Sequence, residues 1–267
     1  MLAVGVGLQV AWPHVDGDPS SGGDALDALT VTTVLVMVAA LVTWVTAVRG
    51  AAAGLAVLGV PVVVGLAVEL LGTTTGLPFG EYAYADSLGV RVGEVPVLIG
   101  AAWALLAWPA TAGARLVTSS RVGVAALVAV ALVGWDLALD PQMIAAGHWS
   151  WADPTPALPG IPEVPLQNYA GWAAVGAVLG ASLDRLVPRG APDGADERVA
   201  EALPLVLLLW TWIGVVVLFA FYEDRPAVAA WSGAVLGVLV LPALAAAVRR
   251  RHVRAAGRGP ARAAARR

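Results

Sequence analysis

The segment RVGVAALVAVALVGWDLALD, residues 121–140, decides the fold class of this chain. It is apolar over the roughly 20 residues that a helix needs to cross about 30 Å of hydrocarbon. Six further runs of comparable length and composition surround it, at about 28–48, 53–71, 95–113, 166–186, 203–222 and 227–247. Because a lipid-exposed backbone must satisfy its own hydrogen bonds, these runs predict an all-α, polytopic membrane helix bundle without a sheet.

The composition of the whole chain agrees with a membrane protein. Of its 267 residues, 59% are hydrophobic and 13% are charged, whereas soluble domains have roughly 45–50% apolar and about 25% charged residues. The sequence has no Cys, which excludes disulfides, thiolate metal sites and Cys nucleophiles, and its three His are too few for a multi-histidine metal site. Soluble enzymes and nucleic-acid-binding proteins are therefore excluded, and we expect neither a metal nor a nucleic-acid partner.

The distribution of arginine predicts the orientation in the membrane. All sixteen basic residues are Arg, and those before the C-terminal cluster fall mainly on alternate connections, at Arg49, Arg115, Arg121, Arg185, Arg189 and Arg198. By the positive-inside rule those connections are cytoplasmic. An eighth apolar run, residues 2–12, is too short to span comfortably and is either a shortened first helix or a half-crossing. We expect seven or eight spans in the plasma membrane and a cytoplasmic C terminus.

Two parts of unequal size make up the predicted domain organisation. Residues 1–248 form a single transmembrane domain. Residues 249–267, which hold half of the arginines, form a basic, disordered cytoplasmic tail. Such a tail is attracted to the anionic lipid of the membrane surface.

An internal repeat divides the transmembrane domain into a first unit at about 53–113 and a second unit at about 121–186. Aligning Glu69 with Asp136, an offset of 67 residues, brings other positions into register: GEYAY (80–84) with GHWSW (147–151) and, after two extra residues, Val95–Pro96 with Val164–Pro165 and Trp103 with Trp172. Both units run the same way through the membrane, so they form a parallel repeat, and sites in such proteins tend to lie at the repeat interface. Chance similarity between helices rich in small residues is the alternative.

Three carboxylates, Glu69, Asp136 and Asp140, lie inside or at the edge of apolar runs, all toward the outer end. A carboxyl group in hydrocarbon is costly, so it normally faces a bundle interior or a cavity and marks a functional site. Asp136 and Asp140 are four residues apart, hence on one face of a helix. We expect Pro141 to end that helix, which places Asp140 at its C terminus. Burial, a like-charged neighbour and the helix dipole together favour one protonated carboxyl in this cluster. Structural roles, with Asp140 capping the loop and Asp136 bonding a neighbouring helix, are the alternative.

A protonated carboxyl among aromatic side chains suits acid-initiated chemistry on an apolar alkene. Protonation of a trisubstituted double bond gives a tertiary carbocation, which aromatic faces stabilise, and a second carboxylate directs water as a general base. The candidates for the cavity walls and for holding substrate or water are Tyr82, Tyr84, Trp103, Trp135, Gln142, Trp149, Trp151, Asn168 and Trp172. For each aromatic residue an anchoring role at the membrane interface is the alternative. His148 fits a solvated loop histidine better than a proton relay.

These blocks carry a family resemblance. ELLGTTTGLPFGEYAY (69–84) with Val95–Pro96, and DLALDPQM (136–143) with the WSW loop, Val164–Pro165, Asn168 and Gly171–Trp172, resemble the carotenoid biosynthesis membrane proteins, which include the bacterioruberin-pathway hydratases. The resemblance covers roughly residues 60–175. It implies hydration of the terminal ψ-end double bond of an acyclic carotenoid to a tertiary alcohol, without an organic cofactor. The catalytic roles of Glu69, Asp136 and Asp140 rest on the physical argument instead.

The expected partners follow from that activity: an acyclic carotenoid substrate, the lipid bilayer and other membrane enzymes of carotenoid synthesis. Two other functions remain open at this point. A cyclase or isomerase would use the same protonation step, and the mass of its product would differ from that of a hydratase by one water. A proton-coupled transporter would use Glu69 and Asp136 as its relay, but the buried acids lie at one end of the spans.

Overall fold

The computed structural model describes residues 1–11, 23–190 and 197–264, and within these ranges the chain is an all-α membrane bundle, as predicted. The helices are α1 Leu2–Ala11, α2 Gly23–Arg49, α3 Ala51–Thr75, α4 Val97–Val117, α5 Arg121–Ala145, α6 Leu166–Leu186, α7 Glu197–Phe221 and α8 Pro226–Ala264. Trp12 and the end of the tail, 265–267, lie outside the described residues, as do the side chains of Arg198 and of most of the tail.

Six of these helices, α2 to α5 with α7 and α8, are long and apolar enough to be candidate spans, so the chain is a multi-pass membrane protein. The sequence predicts seven or eight. The predicted span that is not among these six helices is α6. Its 21 residues reach about 31 Å at 1.5 Å per residue, but its first turn carries the polar side chains of Gln167, Asn168 and Tyr169. The ten-residue α1 is too short to cross.

Short strands connect the helices at one end of the bundle, which corrects the expectation that no sheet forms. They are β1 Tyr82–Tyr84, β2 Arg91–Val92, β3 Val95–Pro96, β4 Trp149–Trp151, β5 Ala157–Leu158 and β6 Ile161–Pro165. Each belongs to a two-stranded antiparallel ribbon: β1 with β4, β2 with β3 and β5 with β6. The requirement for helices applies inside hydrocarbon, and these segments lie between the ends of spans.

Local sequence explains where the helices begin and end. Gly50, at φ +88°, forms the whole connection between α2 and α3, a conformation that glycine adopts without steric cost. Extended prolines, Pro96 and Pro165, precede the first residues of α4 and α6. The Ser120 side chain accepts a hydrogen bond from the Gly123 amide at 3.3 Å and caps α5, in the usual manner of an N-terminal serine.

The bundle packs around α4, the most deeply buried of the candidate spans, which contacts each of the other long helices. Glycines allow α5 to approach its neighbours closely. A Cβ atom at Gly134 would lie 2.7 Å from the backbone nitrogen of Leu236 in α8, and one at Gly176 in α6 would lie 2.9 Å from the Cα of Ala129. Close backbone contact through small residues is a general means of packing helices in membranes.

The two ends of the bundle differ in character. The loop end carries the strands, at the ends of α3 and α5 and the beginnings of α4 and α6. The arginine end carries Arg49, Arg115 and Arg189. There Asp184 accepts from Arg115 Nε at 2.8 Å and from Arg189 Nη2 at 2.7 Å, while Arg49 and Arg115 both lie over the ring of Trp108.

The last helix, α8, continues to Ala264, into the segment 249–267 whose assignment as a separate disordered tail stays a prediction. Ala and Arg, which dominate the residues after the last apolar run, have high helix propensity. The predicted contact of this segment with anionic lipid stays a prediction.

Candidate active site

The β1–β4 ribbon lies at the loop end of the bundle, where β1 follows α3 and β4 follows α5, and it carries four aromatic residues. In the antiparallel pair β1–β4, Tyr82 lies opposite Trp151, Ala83 opposite Ser150 and Tyr84 opposite Trp149. Alternate residues of a strand point to opposite faces. Ala83 and Ser150 are exposed, whereas the four aromatic side chains point into the bundle and line a cavity.

The positions that the sequence repeat aligns meet each other in this region. Tyr82 aligns with Trp149 and Tyr84 with Trp151, so exchanging the two units exchanges the two outer pairs of the ribbon and returns the central pair to itself. The aligned Trp103 and Trp172 stack on one another, with ring centroids 3.9 Å apart and planes 20° from parallel. A local twofold axis between the units would produce these contacts. The boundaries of the two units stay a prediction.

Glu69, near the end of α3, is buried and holds three hydrogen bonds. Tyr82 Oη and Tyr84 Oη donate to its Oε2 at 2.5 and 2.9 Å, and Trp103 Nε1 donates to its Oε1 at 3.4 Å. Burial, followed by the nearby Glu69 charge, raises the pKa of both tyrosines. Both therefore keep their protons at neutral pH and act as donors.

Asp136 and Asp140 on α5 converge on one amide group of α6. Asn168 Nδ2 donates to Asp136 Oδ2 at 2.7 Å and to Asp140 Oδ2 at 2.6 Å. Trp149 Nε1 from β4 donates to Asp140 Oδ1 at 3.1 Å. Asp136 Oδ1 is buried and has no hydrogen-bond partner among the described residues.

One cavity brings the two carboxyl sites together. Glu69 and Asp140 both line it. Its empty space of about 440 Å³ includes solvent outside the protein surface. The remaining lining residues are Phe79, Tyr82, Tyr84, Ile99, Ala102, Trp103, Trp135, Leu139, Trp149, Trp151, Asn168 and Trp172. Apart from its acids, Asn168 and the polar tips of the aromatic side chains, the wall is therefore apolar.

Ten of the twelve site residues that the sequence predicts line this cavity. The exceptions are Asp136, which reaches it only through Asn168, and Gln142, which is half-buried outside the cavity wall. Gln142 is two residues, about 200° around the helix, from Asp140. The lining residues that the sequence analysis missed are Phe79, Ile99, Ala102 and Leu139. Phe79 and Leu139 lie in the sequence blocks quoted above, next to Gly80 and Asp140, whereas Ile99 and Ala102 carry no signal beyond apolarity.

Four polar residues near the site, the threonines of 73–75 and His148, do not line the cavity. The threonines of 73–75 donate to backbone carbonyls one turn earlier in α3, so they complete the end of that helix. His148 is buried rather than solvated, which corrects the expectation from sequence. Its Nδ1 lies 3.0 Å from Ser87 Oγ and 3.6 Å from Asp27 Oδ1, and burial lowers its pKa although Asp27 opposes that effect.

Comparisons with known proteins agree on one family. A family model described as carotenoid biosynthesis protein matches residues 29–241. Bisanhydrobacterioruberin hydratase of Haloarcula japonica is 35% identical over 118 residues, which cover 42% of this chain and 38% of that protein. The chain thus matches well under half the length of that curated relative. No solved structure matches the chain.

Proposed function

This chain belongs to the carotenoid biosynthesis protein family, and we propose that it is a membrane hydro-lyase that adds water to the terminal ψ-end double bond of an acyclic carotenoid. One observation carries the proposal: two separately held, buried carboxyl groups, Glu69 and Asp140, line one aromatic cavity. The relative named bisanhydrobacterioruberin hydratase supports a hydration reaction.

In the proposed first step Asp140 donates a proton to the alkene. Asp136 and Asp140 approach a single amide nitrogen, and two like charges held this close are relieved when the pair shares one proton. Asp140 is the member of the pair that lines the cavity, so it is the one that reaches the substrate. The proton adds to the CH carbon of the double bond, and the positive charge develops on the carbon that bears two methyl groups.

The aromatic wall stabilises that cation without reacting with it. The stacked pair Trp103–Trp172 and the rings of Tyr82, Tyr84 and Trp149 surround the cavity. The negative face of an aromatic ring attracts a cation by roughly 0.5–2 kcal/mol, and more when water is excluded. The inward side of the ribbon thus provides several such faces near Asp140.

Glu69 completes the reaction as the general base. All three of its partners donate hydrogen bonds, and donors to a carboxyl group favour its ionised form. A water molecule that attacks the tertiary cation loses a proton to this carboxylate and leaves a tertiary alcohol. One water is added, and the site is restored when the proton returns from Glu69 to Asp140. Because no electrons are transferred, the proposed reaction requires no organic cofactor.

The proposed setting follows from the spans. Arginine lies mainly at the end of the bundle opposite the site, so the positive-inside rule places the C terminus in the cytoplasm and the site toward the outer leaflet of the plasma membrane. The substrate and the lipid bilayer are the proposed partners, together with the membrane enzymes that precede and follow this step.

Isotope labelling tests the reaction directly. The purified protein in nanodiscs is incubated with an acyclic ψ-end carotenoid in heavy-oxygen water and, separately, in heavy water. Hydration predicts one labelled oxygen per modified end and one deuterium on the adjacent carbon. An isomerase or cyclase would incorporate deuterium without oxygen, and an oxygenase would take its oxygen from the gas. Either result would refute the proposed hydratase.

A further inference from the structure

The cavity is closed on the side of the loops. The β1–β4 ribbon is continued at both ends by backbone hydrogen bonds, from the Ala85 amide to His148 O at 2.8 Å and from the Ala152 amide to Glu81 O at 2.9 Å. Trp151 Nε1 further donates to Phe79 O at 3.0 Å. A substrate therefore has no route through the ribbon unless these hydrogen bonds break.

The polar end of the cavity is also closed. Glu69, Asp140 and Asn168 are at most 4% exposed, and each is hydrogen-bonded to a side chain from another element. Beneath them the stacked Trp103 and Trp172 are 2% and 7% exposed. The cavity is therefore closed around the acids to which we assign the reaction.

Of the six half-buried residues that line the cavity, four lie on α4 and α5, and the other two are Tyr84 and Trp151 of the hydrogen-bonded ribbon. Ile99 and Ala102 occupy one face of the first two turns of α4, and Trp135 and Leu139 occupy one face of the last three turns of α5, since residues three or four apart lie on the same face. All four line the cavity and retain partial exposure. Both helices are candidate spans, so an opening between them lies at the depth of the lipid chains.

We propose that the cavity opens laterally between α4 and α5, and that the polyene shaft of the substrate lies in this opening while only its end group reaches Glu69 and Asp140. The inference rests on the proposed function. Its occupant is specified by chemistry: the half-buried lining residues of α4 and α5 are all hydrophobic, whereas the acids that line the cavity are buried. A long, uncharged chain with one reactive tip matches that division.

The arrangement determines specificity. When the polyene shaft lies in the mouth and the adjoining lipid, no contact with the protein depends on its length. The enzyme should therefore recognise the end group and accept different chain lengths. A symmetrical substrate would be hydrated at its two ends in two separate binding events. The singly hydrated carotenoid should therefore leave the protein and accumulate early in the reaction.

The test narrows the mouth and compares a long with a short substrate. Leu139→Trp and, as a second variant, Ala102→Phe are assayed on a C40 acyclic carotenoid and on a short isoprenoid alkene with the same end group. We expect the ratio of long-substrate to short-substrate conversion to fall at least about tenfold in each. Leu71→Trp is the matched control, because Leu71 is exposed near the end of α3 and is absent from the cavity wall; its ratio should equal that of the wild type.

A binding measurement separates this inference from the proposed reaction. Retention of the C40 carotenoid by the purified protein should fall in Leu139→Trp and Ala102→Phe but not in Leu71→Trp, with all variants matched for thermal stability. If carotenoid retention follows this pattern across the variants but the wild type forms no alcohol, the proposed hydratase activity is wrong and the proposed lateral mouth is supported. An unchanged ratio and unchanged retention in both mouth variants would overturn the lateral mouth whether or not water is added.

Discussion

The two units of the predicted repeat place different polar groups in or next to the same cavity. The first unit supplies one carboxylate, Glu69, which accepts from three neutral donors. The second supplies two carboxyls, Asp136 and Asp140, which share the amide of Asn168. At the offset of 67 residues Asp140 aligns with Thr73, and at the later offset of 69 residues Asn168 aligns with Ile99.

This difference shows how two similar helix hairpins can supply an acid and a base to one site. The aromatic residues meet across the ribbon as matched pairs and build one shared wall. The acids match only in part: Glu69 aligns with Asp136, but only the second unit has a further carboxyl, Asp140, and hence a pair able to share a proton. We infer that the pair serves as the acid and the single carboxylate as the base. The following variants test that division.

The largest effect is expected from Asp140→Asn, which removes the proton donor from the cavity. General acid catalysis contributes typically about 10²–10⁴-fold, so hydration should fall by that factor while the protein stays folded in the membrane. Asp153→Asn is the matched control, since Asp153 is an exposed carboxylate of the connection after β4. Alcohol formation by Asp140→Asn at the control rate would show that the acid is elsewhere.

Glu69→Gln should reduce the rate by about 10²-fold, at the lower end of the range for general acid–base catalysis, because the first unit then has no proton acceptor for the attacking water. Rates across pH distinguish a base from a structural anchor. Loss of a base flattens the limb of the pH–rate profile that reports its ionisation, whereas a structural loss lowers the whole profile. A profile of unchanged shape would contradict the role of Glu69.

Asn168→Leu tests whether the amide couples the two acids of the second unit. Hydrogen bonds to charged groups contribute about 1.5–3 kcal/mol, so we expect a loss of roughly 10–100-fold in rate. The shape of the pH–rate profile should change as well, since the two carboxyls lose their common donor. Gln167→Leu is the control, because Gln167 is an exposed amide on the same helix and does not line the cavity. Equal losses in both variants would indicate packing alone.

Tyr84→Phe removes one of the three donors to Glu69 and should have a smaller effect. A hydrogen bond to a charged group contributes about 1.5–3 kcal/mol. Because two donors to Glu69 remain, we expect a smaller change, of roughly two- to tenfold in rate. Tyr82→Phe, which removes the shorter bond to the same oxygen, should cost at least as much. If neither variant changes the rate, the hydrogen bonds from Tyr82 and Tyr84 do not control the ionisation of Glu69.

The smallest effect concerns the pH dependence of stability at the edge of the second unit. Burial lowers the pKa of His148 below its value in the unfolded chain, about 6.5. Above that pH both states are neutral and His148 contributes no pH dependence. As the pH falls through that value the unfolded state gains its proton first, so stability declines. Thermal midpoints should therefore fall less steeply between about pH 7 and about pH 5 in His148→Gln.

The matched control for His148→Gln is His252→Gln, because His252 is exposed on α8. It should keep the decline of the wild type. An identical decline in His148→Gln would assign the pH dependence of stability to other groups.

The helices follow from sequence because each depends on its own residues. The run at 166–186 matches α6 at both ends, and the run at 121–140 stops five residues short of the end of α5 because Pro141 does not end that helix. Proline within a helix removes one hydrogen bond, a loss that neighbouring groups in a membrane bundle can tolerate. The strands were missed because they are short ribbons defined by pairing between distant segments.

The sequence by itself determined which residues are candidates: acids in apolar runs, aromatic pairs at a fixed offset and helices of membrane length. These are local or periodic features, and their energetic cost in lipid can be assessed one segment at a time. The tertiary structure alone decided that Asn168 joins Asp136 to Asp140, that Gln142 lies outside the cavity wall and that His148 is buried. Those relations depend on how α5, α6 and the ribbon meet, because a hydrogen bond between segments far apart in the chain is fixed by packing geometry.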